Sequence, residues 1–285
     1  MKLKLEKVHR DGERRVALTR EKFRVSGLVR PFAAAQQVEV RLVRRGRVIH
    51  RVRKRLRPVQ GGRAGAFETA YRARRAGPIK VRAVHLRTPQ LAVAPAATWL
   101  AVLQPDLSSQ TMVRLFQKGL AKLHYVTSRG GVYDSATARA VMAYRKVRGL
   151  PRTYSATRDI VRDVLRGKGR FHVRHPGDGR HVEADISRQV LALIEGRNVR
   201  RIYHTSTGSP ATPTVLGRFR VYRKSPGTNS HGMVHSSYFI GGYAIHGYHS
   251  VPPYNASHGC LRVPIPDAWS IYEWIGMGTV VRVYP

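Results

Sequence analysis

The spacing of apolar residues changes twice along this chain, and that change limits what it can fold into. Stretches such as residues 38–43 and 79–84 alternate apolar and polar side chains between glycine-containing turns, which is typical of β-strands. The apolar spacing then becomes helical, and beyond Gly169 strand-like segments return. The pattern predicts a multidomain, mainly β protein with domains at residues 1–97, 98–169 and 170–285.

Residues 1–97 predict an antiparallel β-sandwich, because several short strands follow one another with arginine-, glycine- and proline-containing turns between them. The layout resembles the immunoglobulin-like modules that precede catalytic domains in some bacterial envelope proteins. We expect this domain to take no part in chemistry, because every candidate catalytic residue lies beyond residue 200.

Residues 98–169 predict three short amphipathic helices, near residues 112–123, 136–144 and 160–165. Asp134 and Ser135 are suited to begin the second helix, and Gly167 to end the third. The segment 131–150 resembles a peptidoglycan-binding module whose pattern runs glycine, aspartate, threonine, alanine-valine, aromatic and glycine-leucine. A helical module that only spaces the other two domains remains an alternative.

Residues 170–285 predict strands again. Residues 195–198 resemble the turn of a hairpin, and Pro266, Asp267 and Ala268 open a short helix that runs to about Trp274. The expected strands lie near residues 181–185, 189–194, 199–203 and 218–222.

Cys260 is the only cysteine of the chain, so it cannot form an intramolecular disulfide. It ends the run Ser257-His258-Gly259-Cys260, fourteen residues after His246. A lone cysteine is often a small buried hydrophobe, but this polar, glycine-containing setting suits a nucleophile. An imidazole can take the thiol proton and form an ion pair with the thiolate. A cysteine and a histidine are therefore the smallest set of side chains that can carry out acyl transfer of this kind.

These residues resemble the signature of the YkuD-type L,D-transpeptidases, cysteine enzymes that cross-link bacterial peptidoglycan. The resemblance spans roughly residues 180 to 285. It also includes Ser206-Thr207-Gly208, Thr212-Pro213-Thr214, residues 216–219 and residues 276–281. It implies a mostly β catalytic domain in which Cys260 attacks a donor tetrapeptide stem, releases D-alanine and passes the acyl group to an acceptor amine.

Carried over to this sequence, the resemblance implies roles for further residues. His246 would be the general base, with its ring oriented by the backbone carbonyl of Gly247. The amides of Gly259 and Cys260 would form the oxyanion hole. Ser257 and His258 would form hydrogen bonds near the thiol.

Substrate binding is expected from three other side chains. Arg262 is a candidate for a peptide carboxylate, because guanidinium offers a planar fork of donors. Some family members use a tyrosine at the oxyanion hole, and Tyr238, Tyr243 and Tyr248 are open alternatives for it. Tyr238 and Tyr248 are also candidate substrate-binding residues. No cofactor is expected, and the histidines lack the compact spacing of a metal site.

The net charge of +36 comes from 52 Lys and Arg against 16 Asp and Glu, and 26 of the basic residues lie within residues 1–90. A field of this sign attracts polyanions. An anionic cell-wall polymer or a membrane surface is the expected partner beside peptidoglycan stem peptides. Nucleic acid is a weaker candidate, since no helix-turn-helix, zinc finger or RNA-binding motif accompanies the basic runs.

The sequence contains no apolar run of eighteen residues, and its first residues are too charged for a secretory signal. A cross-linker of peptidoglycan acts outside the membrane, so we expect a processed chain in the cell envelope of a bacterium. Two alternatives to the transpeptidase stay open. One is an L,D-carboxypeptidase that uses water as acceptor. The other is a non-catalytic basic protein that binds wall or nucleic acid, which intact Cys260 and His246 argue against.

Overall fold

The computed structural model describes residues 1–89 and 91–285. The chain divides into two compact units, residues 1–115 and residues 116–285, and most of its regular structure is strand. The prediction of a multidomain, mainly β chain is therefore confirmed. The finer division into three domains remains a prediction, and its boundary after residue 97 falls inside a strand, β10. Among the described residues, no helix is long and apolar enough to cross a membrane.

The first unit consists of two sheets. One has the strand order β1-β4-β8-β7 and the other β2-β3-β10-β9-β5-β6. Alternate residues of these strands form its core, among them Phe23, Val40 and Leu100. The strands are β1 (Lys2–Glu6), β2 (His9–Asp11), β3 (Arg14–Leu18), β4 (Lys22–Val29), β5 (Gln37–Arg44), β6 (Arg47–Arg55), β7 (Arg57–Val59), β8 (Ala64–Arg72), β9 (Gly77–His85) and β10 (Ala94–Leu103).

The strand pairs formed within residues 1–97 are antiparallel, as expected, and one parallel pair involves residues beyond that range. Strands β3 and β10 pair in parallel, with Ala101 level with Val16 and Leu103 level with Leu18. Such a pair joins segments that are far apart in sequence, so the local sequence of neither strand predicts whether the pairing is parallel or antiparallel. The other strand pairs of both sheets are antiparallel among the described residues.

Helices α1 (Gln110–Lys122), α2 (Ser135–Val147) and α3 (Arg158–Leu165) occupy the predicted positions. The α2 helix begins where its cap requires, because the Asp134 carboxylate accepts a hydrogen bond from the Thr137 amide. Nε2 of buried Gln117 lies 2.8 Å from the Ser128 and Thr137 hydroxyl oxygens and from the Val132 carbonyl oxygen, and shares its two N–H donors among them, which fixes the chain between α1 and α2.

The second unit also contains two sheets, with the orders β13-β12-β11-β19-β14 and β15-β16-β17-β18. Apolar side chains from both sheets and from helix α4 (Ile265–Trp274) form a common core, which includes Val182, Ile245 and Ile271. The strands are β11 (Arg180–Asp185), β12 (Val190–Glu195), β13 (Asn198–His204), β14 (Gly217–Arg220), β15 (Arg223–Thr228), β16 (Val234–Ile240), β17 (Tyr243–Tyr248), β18 (Leu261–Pro264) and β19 (Val280–Tyr284).

The α2 helix packs against β13 and β12 within the second unit. Its Lys146 is buried, and Nζ of Lys146 donates to the Thr205 carbonyl across 2.8 Å. Arg139 of the same helix forms an ion pair with Asp267 of α4. The helical segment from residue 116 onward is therefore joined to the β-sheets of this unit by buried polar contacts as well as by packing.

Candidate active site

Two neighbouring parallel strands bring the predicted nucleophile and base together. Ile245 of β17 is level with Leu261 of β18, and His246 is level with Arg262. Ile245 points into the core, so Ala244 and His246 lie on the opposite face of the sheet. Cys260 immediately precedes β18, and its Sγ atom accepts a hydrogen bond from the Ala244 amide at 3.4 Å.

His246 is held in one orientation by its own strand. Its side chain is buried, and its Nδ1 atom lies 2.9 Å from the carbonyl oxygen of Gly247. A carbonyl oxygen only accepts hydrogen bonds, so Nδ1 carries the proton and Nε2 presents its lone pair. Burial lowers the pKa of His246 to about 4, against the opposing effect of the Gly247 bond. The imidazole is therefore neutral at physiological pH and is suited to accept a proton.

Burial also raises the pKa of the Cys260 thiol, although the Ala244 amide and the Arg262 charge act in the opposite direction. The thiol is oriented as a weak donor toward the Gly242 carbonyl oxygen, 3.8 Å away. These two pKa shifts favour a neutral thiol and a neutral imidazole in the resting protein. The stored ion pair that the sequence allowed is disfavoured, so the thiol proton is expected to leave as the sulfur attacks.

The turn that carries Cys260 is fixed by Ser257. The Ser257 side chain is buried, and its hydroxyl donates to the Cys260 carbonyl at 2.6 Å and accepts from the Gly259 amide at 3.1 Å. The backbone of Ser257 is bonded in turn to Thr207 and Ser209. Segment 205–209, next to the turn, therefore supports the thiol, which agrees with its part in the sequence resemblance.

Gly259 occupies a position that a larger residue cannot take. Its φ is +108°, and a Cβ atom placed there would lie 1.9 Å from the ring of Tyr243. Glycine is thus required both by the backbone conformation and by the close approach of the aromatic ring. Because the Gly259 amide is bonded to Ser257, its role in an oxyanion hole remains a prediction that requires this bond to be exchanged.

His258 is not brought into the cluster in the same way. Its side chain is exposed at the turn, and within residues 1–89 and 91–285 its ring has no hydrogen-bond partner. The bond near the thiol that the resemblance implied for His258 is absent from this geometry, whereas Ser257 makes such contacts. A functional role for His258 remains a prediction.

Arg262 and Tyr248 form a continuous surface beside His246. The Tyr248 ring meets the His246 ring edge to face, with 5.7 Å between centroids, and the Arg262 guanidinium carbon lies 4.2 Å from the Tyr248 centroid. Arg262 also donates to the Ala256 carbonyl. The guanidinium is thus positioned on the His246 face of the strands, where a bound carboxylate would be close to the reacting groups.

Tyr238 is placed differently from Tyr248. Tyr238 lies on β16, where it pairs with Ala244 of β17, and its side chain is buried. The Arg223 guanidinium carbon lies 3.9 Å from the centroid of the Tyr238 ring. Its hydroxyl is 3.5 Å from the Asn229 amide nitrogen. Strand β17 therefore lies between Tyr238 and Cys260, and Tyr238 is largely covered by neighbouring side chains.

A pocket of about 450 Å³ adjoins Tyr248. Arg139 and Tyr154 of the helical segment line it together with His204 and Tyr248. Burial lowers the pKa of His204 to about 3, and its Nδ1 atom has no partner among the described residues. Sequence reasoning missed Arg139, Tyr154 and His204, because they lie far apart in the chain and belong to no local motif.

In the part of the chain that the structure describes, no three histidine, cysteine or carboxylate side chains are grouped so that they could hold a metal ion. The titratable groups beside the thiol are instead an imidazole, a guanidinium and tyrosine hydroxyls. This set is suited to proton transfer and to binding of carbonyl or carboxylate groups.

Comparison with known proteins agrees with this geometry. Residues 179–283 match the sequence model of the L,D-transpeptidase catalytic domain, YkuD. The structure of an L,D-transpeptidase from Xylanimonas cellulosilytica (its residues 123–326) is 32% identical, with a TM-score of 0.55, over 60% of this chain and 92% of that chain. The comparison with curated proteins found no match.

Two further solved structures are more distant. An L,D-transpeptidase from Stackebrandtia nassauensis is 20% identical over 60% of this chain and 90% of that chain, with a TM-score of 0.39. One from Mycobacterium tuberculosis is 20% identical over 38% of this chain and 58% of that chain, with a TM-score of 0.35. The family match and the 32% identity over nearly all of the Xylanimonas structure decide the assignment. This chain belongs to the L,D-transpeptidase family, with its YkuD catalytic domain at residues 179–283.

Proposed function

We propose that this chain is a peptidoglycan L,D-transpeptidase in which Cys260 is the nucleophile and His246 the general base. The observation that carries the proposal is the bond from His246 Nδ1 to the Gly247 carbonyl, together with the hydrogen bond that Cys260 Sγ, at the residue before β18, accepts from Ala244 two residues earlier in the strand of His246. The bond from Nδ1 leaves the Nε2 lone pair as the proton acceptor, so no side-chain carboxylate is needed as a third catalytic group.

In the first half-reaction, His246 Nε2 takes the thiol proton while Sγ attacks the carbonyl carbon that precedes the terminal D-alanine of a tetrapeptide stem. The carbonyl oxygen gains negative charge in the tetrahedral intermediate. When that intermediate collapses, the C–N bond breaks and the imidazolium gives its proton to the leaving amine. D-Alanine departs, and the stem remains attached to Cys260 as a thioester.

In the second half-reaction, the amine of an acceptor stem attacks the thioester carbonyl. His246 accepts a proton from that amine, the C–S bond breaks, and the thiolate is reprotonated. The product is a new amide cross-link between two stems. Neutral His246 suits both half-reactions, because it must start each of them as a base.

Binding of the stems is assigned to the surface next to this pair. Arg262 would bind a stem carboxylate, and Tyr248 would line the path toward the pocket bordered by Arg139 and His204. The Cys260 amide would stabilise the oxyanion, joined by the Gly259 amide when its bond to Ser257 is exchanged. The protein would act in the bacterial cell envelope, where these stems are found.

The test is to incubate the protein with a soluble tetrapeptide donor and an acceptor stem and to follow the products by mass spectrometry. We expect D-alanine release, a covalent adduct on Cys260 and a cross-linked dimer. Cys260→Ala should abolish all three and leave the thermal unfolding temperature nearly unchanged, because a small partly exposed side chain contributes little to stability.

Three outcomes would contradict the proposal in different ways. Release of D-alanine with only the shortened tripeptide formed would identify an L,D-carboxypeptidase. Absence of any adduct or product would favour a non-catalytic binding protein. An adduct that persists in Cys260→Ala would place the nucleophile elsewhere.

A further inference from the structure

The first unit contains a groove lined by arginines, remote in sequence from the residues assigned to chemistry. Its volume is about 1080 Å³, and it lies between the turn that joins β5 to β6 and the connection from β8 to β9. This is large enough for several linked chemical groups, because binding pockets for drug-sized molecules measure roughly 300–1,000 Å³. The arginines that line it are Arg44, Arg45, Arg47, Arg72, Arg74 and Arg75.

None of these six guanidinium groups has a carboxylate partner within residues 1–89 and 91–285. Other arginines of the same unit do have a carboxylate partner, since Arg41 and Arg53 both form ion pairs with Glu39. Like charges held together repel one another unless counter-charges are bound between them. The groove is therefore a concentration of positive charge that the protein itself does not compensate.

The interior of the groove is also partly preformed. Arg44 donates through Nη2 to the Arg75 carbonyl at 2.7 Å, which joins the two chain segments that form its walls. The Nε atom of Arg44 is buried and has no partner among the described residues. An acceptor oxygen that enters the groove would offer charge-assisted bonds to these donors.

The ligand chemistry follows from the number and type of donors. Guanidinium groups bind phosphate oxygens through two parallel hydrogen bonds, and several in one groove suit a ligand with repeated phosphate groups. Tyr71 is the aromatic side chain of the lining, but its ring is packed against His50 at 5.0 Å and Phe23 at 5.9 Å. Tyr71 therefore has no free ring face on which a nucleic-acid base could stack. The groove is suited to bind phosphate groups and not bases.

We propose that this groove binds the phosphodiester backbone of an anionic cell-wall polymer and so retains the enzyme at the wall. The choice of a wall polymer rests on the proposed function, which sets the compartment. The charge argument itself concerns only the groove and does not depend on Cys260.

The test uses the full-length protein and purified poly(glycerol phosphate) as probe, with affinity measured over a range of salt concentrations. The groove variant is Arg47→Gln/Arg74→Gln, and the matched control is Arg55→Gln/Arg57→Gln on β6 and β7, outside the groove. All four side chains are exposed, and each variant loses two of the 36 net positive charges. Thermal unfolding of both variants verifies that they are folded.

We expect the groove variant to bind about tenfold more weakly near physiological salt, and its log–log salt slope to fall by about two, since each lost phosphate contact releases one counterion fewer. The control should stay within about twofold of the unchanged protein under the same conditions. Equal losses in both variants would overturn the proposal in favour of diffuse attraction by net charge.

Two other results would also overturn it. One is tighter binding of an RNA or duplex DNA oligonucleotide that displaces the polymer from the groove, and the other is the absence of polymer binding near physiological salt. Turnover of the soluble tetrapeptide donor should be the same in both variants and in the unchanged protein. A protein that binds the polymer but never releases D-alanine would refute the proposed enzymatic function and leave the groove assignment standing.

Discussion

His246 donates a hydrogen bond from Nδ1 to the carbonyl oxygen of Gly247, the next residue of its own strand, across 2.9 Å. The contact sets the tautomer without introducing a negative charge. A buried imidazole without a carboxylate partner is disfavoured in its charged form, which explains why the pKa of His246 falls to about 4. The backbone thus orients the His246 ring, and burial keeps it neutral.

The first prediction concerns the pH dependence of acylation. A general base must be unprotonated to act, so activity is lost as the pH falls through the pKa of His246. Because that pKa is lowered to about 4, the acid limb of the profile should lie near pH 4 and not near the ordinary value of about 6.5. The rate of D-alanine release from a soluble donor, measured from about pH 3 to pH 9, gives the profile. An acid limb near pH 6.5 would contradict the neutral resting pair.

The second prediction separates the two histidines near Cys260. His246→Gln should slow acylation by about 10²–10⁴-fold, the usual contribution of general-base assistance. His258→Gln should change the rate much less, because the His258 ring is exposed and has no hydrogen bond among the described residues. Single-turnover acylation rates of the two variants provide the comparison. A larger loss in His258→Gln would reverse the assignment of the base.

The third prediction tests the close approach of Gly259 to Tyr243. Gly259→Ala should abolish acylation and lower the unfolding temperature, because the new methyl group would overlap the Tyr243 ring at a φ of +108°. Gly278→Ala is the matched control, since Gly278 also has a positive φ, of +74°, but has nothing within 4 Å of the position that a methyl group would take. Gly278→Ala should lower the free energy of unfolding only by the backbone strain of an alanine at positive φ, about 1–2 kcal/mol, and should retain turnover of the donor. Similar activity losses in both variants would show that contact with Tyr243 is unimportant.

The sequence allowed much of this fold to be predicted where local chemistry determines structure. The Asp134 cap, the apolar spacing of α2 and the turn between β12 and β13 all depend on neighbouring residues, and each is found at its predicted place. Cys260 and His246 could be paired because a resemblance links their two motifs. The pairing of the strand that contains His246 with the strand that follows Cys260 is a property of the folded chain.

Contacts between distant segments could not be predicted in this way. Lys146 carries an ionisable amine, yet it is almost completely buried; burial lowers its pKa to about 6, and the Thr205 carbonyl accepts a hydrogen bond from Nζ. The pairing of Arg139 with Asp267 joins helices 128 residues apart in sequence. Neither contact produces a periodic pattern, so the participation of the helical segment in the second unit becomes apparent only in three dimensions.

The fourth prediction concerns that ion pair, in which Arg139 Nε and Nη2 lie 2.9 and 3.1 Å from the two oxygens of Asp267. The Asp267 side chain is only 8% exposed, so Arg139→Gln would leave a buried carboxylate without its partner. Removal of one partner from a buried pair typically costs about 3–5 kcal/mol of unfolding free energy. The control is Arg162→Gln, whose partner Asp159 is 90% exposed and whose loss should cost about 0.5 kcal/mol or less.

The deficit of Arg139→Gln should depend on pH in a defined direction. Burial raises the pKa of Asp267 even with Arg139 present, and loss of Arg139 would raise it further. A carboxyl group with a raised pKa in the folded state favours folding at low pH, and this contribution is lost as the pH rises through the folded-state pKa. Relative to the unchanged protein, Arg139→Gln should therefore be less destabilised at about pH 5 than at about pH 8. Urea unfolding at both pH values measures the difference, and equal deficits at the two values would show that Asp267 does not titrate as its burial requires.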